Sequence, residues 1–235
     1  MSIYAIGDLH LPGHAQKPMN VFGSHWDRHF ETIQMHWLKM IEPNDVVLIP
    51  GDLSWAMQLA DALDDLHAIA ELPGQKVLLR GNHDYWWSSL GKVRAALPPD
   101  MHALQNDAVM LNGHVFCGTR GWMFPTPQQP LNAQDEKIFH RELMRLRLSL
   151  DCAVALSGGE PVTVLMHYPP LFGDGTATAF SELLESYPVC RVVYGHLHAA
   201  GIKIAFCGMH GGVRYRLVSC DALDFCPIQL DEKDF

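Results

Sequence analysis

Lys76-Val77-Leu78-Leu79-Arg80-Gly81-Asn82-His83-Asp84 is the stretch from which the fold is read. Its apolar run, Val77 to Leu79, is long enough for one buried strand, and it stops where an amide, an imidazole and a carboxylate follow on consecutive residues. Asn, Asp and Gly are also ordinary turn residues, so the tetrapeptide gains meaning only if other strands end in the same way.

They do. Upstream, Leu59, Leu63, Leu66 and Ala70 mark an amphipathic helix. Before it Asp45–Ile49 forms a second buried strand running into Pro50-Gly51-Asp52. A helix from about Asp27 places Phe30, Ile33, Trp37 and Ile41 on one face. The first strand, Ile3–Ile6, ends in Gly7-Asp8-Leu9-His10. Strand, helix, strand, helix, strand is the pattern of a parallel α/β sheet with crossover helices, in which ligands bind beyond the carboxyl ends of the strands.

Downstream the strands shorten, Ala108–Leu111 and Val115–Cys117 flanking the hairpin signal Asn112-Gly113. A long helix is expected over Ala133–Leu150 and a short one over Ala179–Tyr187. Val162–Met166 reads as a strand ending in His167, and Arg191–Tyr194 as one ending in Gly195-His196-Leu197-His198. The tail alternates through Ile202–Phe206, Tyr215–Val218 and Phe225–Leu230, as antiparallel strands would.

Bulk properties narrow the class. The chain has 235 residues, 48% hydrophobic and 18% charged, with no linker-like segment, so a single domain over 1–235 is expected. The net charge of −9 argues against long nucleic acid and anionic membrane as partners. Six cysteines (Cys117, Cys152, Cys190, Cys207, Cys220, Cys226) contain no C-x-x-C pair and read as buried free thiols of a reducing compartment. With no basic n-region and no long apolar segment, a cytoplasmic location is expected.

Five strand ends therefore carry Asp8/His10, Asp52, Asn82/His83/Asp84, His167 and His196/His198. The ligand set of two Asp, one Asn and four His lacks thiolate, which suits Mn, Fe, Zn, Co or Ni better than a structural zinc, Mg or Ca. Seven groups exceed what one ion needs, whereas two ions roughly 3.5–4 Å apart with a shared carboxylate would use them all.

In this order the motifs GDxH, GD, GNH(D/E), a later His and GHxH resemble those of the calcineurin-like metallophosphoesterases, and the match spans nearly the whole chain. The resemblance implies a four-layer α/β/β/α sandwich of two mixed β-sheets flanked by helices. It also implies a dinuclear centre of divalent or trivalent transition-metal ions that activates hydroxide against a phosphate mono- or diester. Asp8, His10 and His198 would hold one ion, Asn82, His167 and His196 the other, and Asp52 would bridge. His83 would be the substrate-facing general acid, with Asp84 orienting its ring. Two dications, two ligand carboxylates and a hydroxide leave about +1 locally, enough for an acidic protein to attract a small phosphate ester.

The reading from a different class, a catalytically silent interaction module on the same fold, would be free to lose ligands, and none is missing. Arg120 and Asp174 read as surface groups that could touch substrate, and Trp55, Trp86 and Trp87 as packing under the loops. The first long loop, residues 11–26 with His14, Lys17 and His25, is placed to cover the site. The oligomeric state has no sequence signature.

Overall fold

Ile3–Ala5 (β1) is buried on both faces. So are Val46–Ile49 (β2) and most of Gln75–Leu79 (β3), as strands of a parallel sheet covered on both sides must be. The computed structural model describes residues 1–13, 19–126 and 129–230; His14 and Lys17 lie outside them. Helices His29–Met40 (α1) and Leu59–Ala70 (α2) join these strands, and Leu90–Ala96 (α3) leads to Met101–Leu104 (β4). β1 to β4 run parallel in order, and the short Ile228–Gln229 (β11) adds antiparallel to β1.

The second sheet contains Ala108–Leu111 (β5), His114–Thr119 (β6), Val162–Met166 (β7), Val189–Tyr194 (β8), Gly208–His210 (β9) and Val213–Leu217 (β10), in the order β5-β6-β7-β8-β10-β9. The β5–β6 hairpin turns at Asn112 and Gly113 with φ of 50° and 83°, the left-handed pair a tight two-residue turn requires. Ala133–Ser157 (α4) and Ala179–Glu185 (α5) cover the outer face of this sheet.

Alternation along the strands builds the layers. Ile3, Ala5, Val46, Leu48 and Val77 of the first sheet meet Phe116, Leu165 and Val193 of the second in one buried cluster between the sheets. Their neighbours Tyr4, Val47, Ile49 and Leu78 face outward onto Ile33 and Trp37 of α1 and Leu66 and Ile69 of α2. On the other side Val164, Met166 and Val192 pack on Phe139, Leu146 and Leu150 of α4 and Phe180 of α5. The architecture is thus helices, sheet, sheet, helices, as expected. Lys76, fully buried inside β3, keeps its ammonium bonded to the carbonyls of Ala70 (3.0 Å) and Leu72 and to Asp100 (2.6 Å), which closes the C-terminal end of α2.

Several sequence expectations differ from the structure. The alternation at residues 202–206 predicts a strand, but Ala199–Ile204 is a 3₁₀ helix with Ile204 exposed; short apolar alternation does not separate the two when only one side is covered. β10 pairs parallel with β8 rather than antiparallel, because the chain returns across the sheet and then turns at Gly211-Gly212 between β9 and β10. α3 has too few apolar positions to stand out. α4 runs seven residues beyond Leu150, begun by the Asn132 side chain accepting from the Gln134 and Asp135 amides and ended at Gly158 with φ 62°. All six cysteines are free, yet only Cys117 and Cys220 are buried and Cys152 and Cys207 are exposed.

Candidate metal centre

Each strand that feeds the site delivers its polar residues just past its carboxyl end: Asp8 and His10 after β1, Asp52 after β2, Asn82 and His83 after β3, His167 after β7, His196 and His198 after β8. The loops are laced to one another by backbone bonds, Asp8 N–H to Gly51 O (3.0 Å), His10 N–H to Asp52 O (2.9 Å) and Gly195 N–H to His167 O (3.2 Å). Asp8, His10, Asp52 and His196 all have positive φ, of 56°, 46°, 52° and 73°. Such a conformation is uncommon for residues with a Cβ and is held at a cost of order 1–3 kcal/mol each, so the surrounding structure imposes it. It turns each side chain back toward a common centre.

The side chains converge. His198 Nε2 lies 3.4 Å from both Asp8 Oδ1 and His10 Nε2. His167 Nε2 lies 2.6 Å from Asn82 Oδ1 and 3.5 Å from Asp52 Oδ2. His196 Nδ1 lies 2.9 Å from the same Asn82 oxygen. Ligand atoms of Asp8, His10 and His198 fall within 4.8 Å of one another, and those of Asp8, Asp52 and His167 do likewise.

The chemistry of this donor set fits a cation. His167 Nδ1 is 3.0 Å from the Pro50 carbonyl, which has no proton to give, so Nδ1 carries the hydrogen. Burial disfavours the charged ring, and Nε2 then aims a lone pair at the Asn82 oxygen 2.6 Å away. Lone pairs facing lone pairs need a positive charge between them.

The carboxyl groups show the same shortage. Asp52 is pushed up to about 8, first by burial and then by the Asp8 charge. Burial also raises Asp8, but His198, His167 and His10 outweigh it and hold Asp8 below the ordinary carboxylate range. His198 is driven up to about 10: burial opposes its charge, and Asp221 and Asp8 overcome that. Burial takes His10 and His196 down to about 3, leaving neutral imidazoles of the kind metals bind.

Two carboxylates hold this geometry. Asp84 accepts from the amides of Asp52 (2.9 Å), Leu53 (2.9 Å), Ser54 (3.3 Å) and Gly81 (2.7 Å) and from Trp86 Nε1 (3.0 Å). These five N–H donors on its two oxygens make the Asp84 carboxylate a clamp between the Asp52 loop and the Asn82 loop. Asp221, to which no sequence signal points, accepts from His198 Nδ1 at 2.8 Å and from the Ala199 amide at 3.2 Å. No motif surrounds it, and only the fold brings it within reach. Exchange of Asp221 for Ala is expected to weaken metal binding roughly 10–100-fold, as loss of an outer carboxylate on a ligating histidine does; titration against a competing chelator reads this directly.

The glycines before Asn82 and His196 are there for space. A Cβ on Gly81 would lie 2.0 Å from Asp52 Oδ1, and one on Gly195 would lie 2.3 Å from Asp8 Oδ2. Gly81 thus serves close approach rather than a left-handed turn. Gly81→Ala is expected to displace Asp52 and abolish most metal uptake while the two sheets still fold, checked by elemental analysis beside circular dichroism.

His83 stands on the rim. Its amide donates to Asp52 Oδ1 at 2.8 Å, and its ring lies 4.5 Å from that of Trp55 and 5.8 Å from that of His10. A cavity of about 200 Å³ opens beside it, walled by Met19, Phe22, Trp26 and Trp55 and bordered by His10 and His198. Trp55 stacks on the His10 ring (4.9 Å, 19°), while Trp86 and Trp87 are buried beneath the loops. Arg120 holds its guanidinium 4.6 Å over the Trp122 ring. Asp174 is in an exposed turn, accepting from the Thr176 amide at 2.9 Å. His25, on the described part of the first loop, is exposed and packs toward Trp26 and Phe225.

Residues 1–200 match the profile of a family described as calcineurin-like phosphoesterase. No curated protein matches the chain. Among solved structures, a phosphopantetheinyl hydrolase from Mycobacterium tuberculosis is 14% identical with a TM-score of 0.59, covering 99% of this chain and 96% of that one. A protein of unknown function from Aquifex aeolicus is 16% identical with a TM-score of 0.51, covering 97% and 95%. The protein TT1561 of Thermus thermophilus is 12% identical with a TM-score of 0.53, covering 97% of each chain. These likenesses concern the fold. Among the described residues, no helix is long and apolar enough to cross a membrane.

Proposed function

The chain belongs to the calcineurin-like phosphoesterase family, a family of metal-dependent phosphoric ester hydrolases, and from that premise we propose that it hydrolyses a small phosphate mono- or diester at a centre of two metal ions. Asp8, His10 and His198 would hold one ion and Asn82, His167 and His196 the other. The observation that carries the reading is the position of Asp52 Oδ2, one oxygen 3.9 Å from His10 Nε2 and 3.5 Å from His167 Nε2. It is within reach of a member of each set, as a shared carboxylate should be. We further propose that residues 1–235 act as one domain, since ligands come from β1 at the start and β8 near the end.

Two such ions, when bound, supply Lewis acidity toward phosphoryl oxygens and lower the pKa of water. The protein's own groups do the rest. Asp8 and Asp52 contribute the negative charge that retains the ions. His83, beside the ligands but outside both sets, gives a proton from its imidazole to the departing alkoxide oxygen, a task for which histidine is the side chain most often used. Met19, Phe22, Trp26 and Trp55 exclude water around that oxygen and offer the leaving group an apolar wall. Asp84 and Asp221 are positioning residues.

Hydrolysis of a nitrophenyl phosphate and of the bis-nitrophenyl diester, with and without Mn, Fe or Zn, tests the reading. Turnover that vanishes with chelator and returns with metal is expected; turnover indifferent to chelator would contradict it.

A further inference from the structure

A second pocket, of about 210 Å³, lies beside the metal centre at the same edge of the sheets. It is lined by Arg80 after β3, Arg120 after β6 and Arg141 and Arg145 of α4. Four guanidiniums thus meet in a protein whose net charge is −9, and the acid in the lining is Glu142.

Glu142 is buried and already engaged. It lies 2.8 Å from Arg145, 3.6 Å from Arg141 and 3.9 Å from Arg120, and accepts from Thr119 Oγ1 at 2.7 Å. One carboxylate cannot neutralise four cations. The Nε atoms of Arg80 and Arg120 are buried with no hydrogen-bond partner among the described residues, although a buried N–H left unmade costs about 1–3 kcal/mol. Guanidiniums clustered in this way, with donors unspent, match a tetrahedral oxyanion.

The pocket is joined to the metal centre through the backbone. Arg80 immediately precedes Gly81-Asn82, and the Arg120 carbonyl accepts from the amides of His167 (3.1 Å) and Tyr168 (2.9 Å). The loops of the pocket and of the metal centre are thus bonded to one another, close enough that the Arg120 charge acts on Asp52.

We propose that this arginine pocket binds a second phosphate group of the substrate, so that the preferred substrate is a phosphate ester bearing another phosphate besides the one hydrolysed. This rests on the phosphoesterase reading above. Two measurements on the metal-loaded protein test it. Equilibrium binding of inorganic phosphate should count two sites per chain, one lost with Asp52→Asn and the other weakened at least about tenfold by Arg141→Ala. Arg141 is half-exposed on α4, and Arg80→Lys, which keeps charge but not the fork, is a second probe of the same site. The kinetic measurement compares kcat/KM for an aryl phosphate with that for the same aryl phosphate carrying a second phosphate. The wild type should prefer the second by at least about tenfold, and Arg141→Ala should erase that preference. A single phosphate per chain, or a second one indifferent to both arginine variants, overturns the pocket. Two phosphates without preference between the esters overturns its use for substrate and leaves free phosphate as its occupant. If neither ester turns over and the bis-nitrophenyl diester is not hydrolysed either, the phosphoesterase reading fails and takes the substrate assignment with it, while the phosphate count still decides the pocket.

Discussion

Asp52→Asn is expected to abolish turnover and strip metal from the protein. Losing an outer partner of a ligand costs about 10–100-fold in affinity, and Asp52 Oδ2 lies within reach of a member of each proposed ligand set, so its loss should exceed that range for both proposed ions. The same substitution should not harm the metal-free fold. Asn keeps the shape, and it removes a carboxylate that burial and Asp8 already disfavour in its charged form. In chelator the variant should therefore melt no lower than wild type. Added metal should raise the melting temperature of wild type by mass action and leave the variant unmoved. A variant that keeps its metal at full affinity would show that Asp52 is no shared ligand.

His83→Ala should separate chemistry from metal binding. The ring belongs to neither ligand set, and its amide, which does contact Asp52, survives the change. kcat is expected to fall by about 10²–10⁴, the range for loss of a general acid, with metal content at the wild-type level. The loss should shrink for esters whose leaving group needs no proton, such as a nitrophenolate, and be full for an alkyl ester. Loss of metal together with activity would instead make His83 a ligand.

Much of this arrangement is legible from residue order. Buried parallel strands announce themselves as short apolar runs, and a polar residue directly after such a run can only be at the ligand-binding edge. That is why Asp8, Asp52, Asn82, His167 and His196 stand out in the sequence itself. Groups that act from outside a motif are not legible. Asp221 lies in the short tail element Cys220–Leu223 and reaches His198 only because β10 threads back beside β8. Asp84 sits inside the motif, yet its work is set by amides of residues 52–54, which are distant in sequence. The tail misleads for a related reason. Pairing direction depends on where the chain returns, and strand alternation carries no information about that. The arginine pocket is assembled from the ends of β3 and β6 and one turn of α4, so its charge is invisible in any single stretch.

The most direct test is the metal count. After loading with Mn, Fe or Zn and removal of excess ion, elemental analysis of the wild-type protein should give two ions per chain. A protein saturated at one ion, or one that retains none, would contradict the two-metal centre.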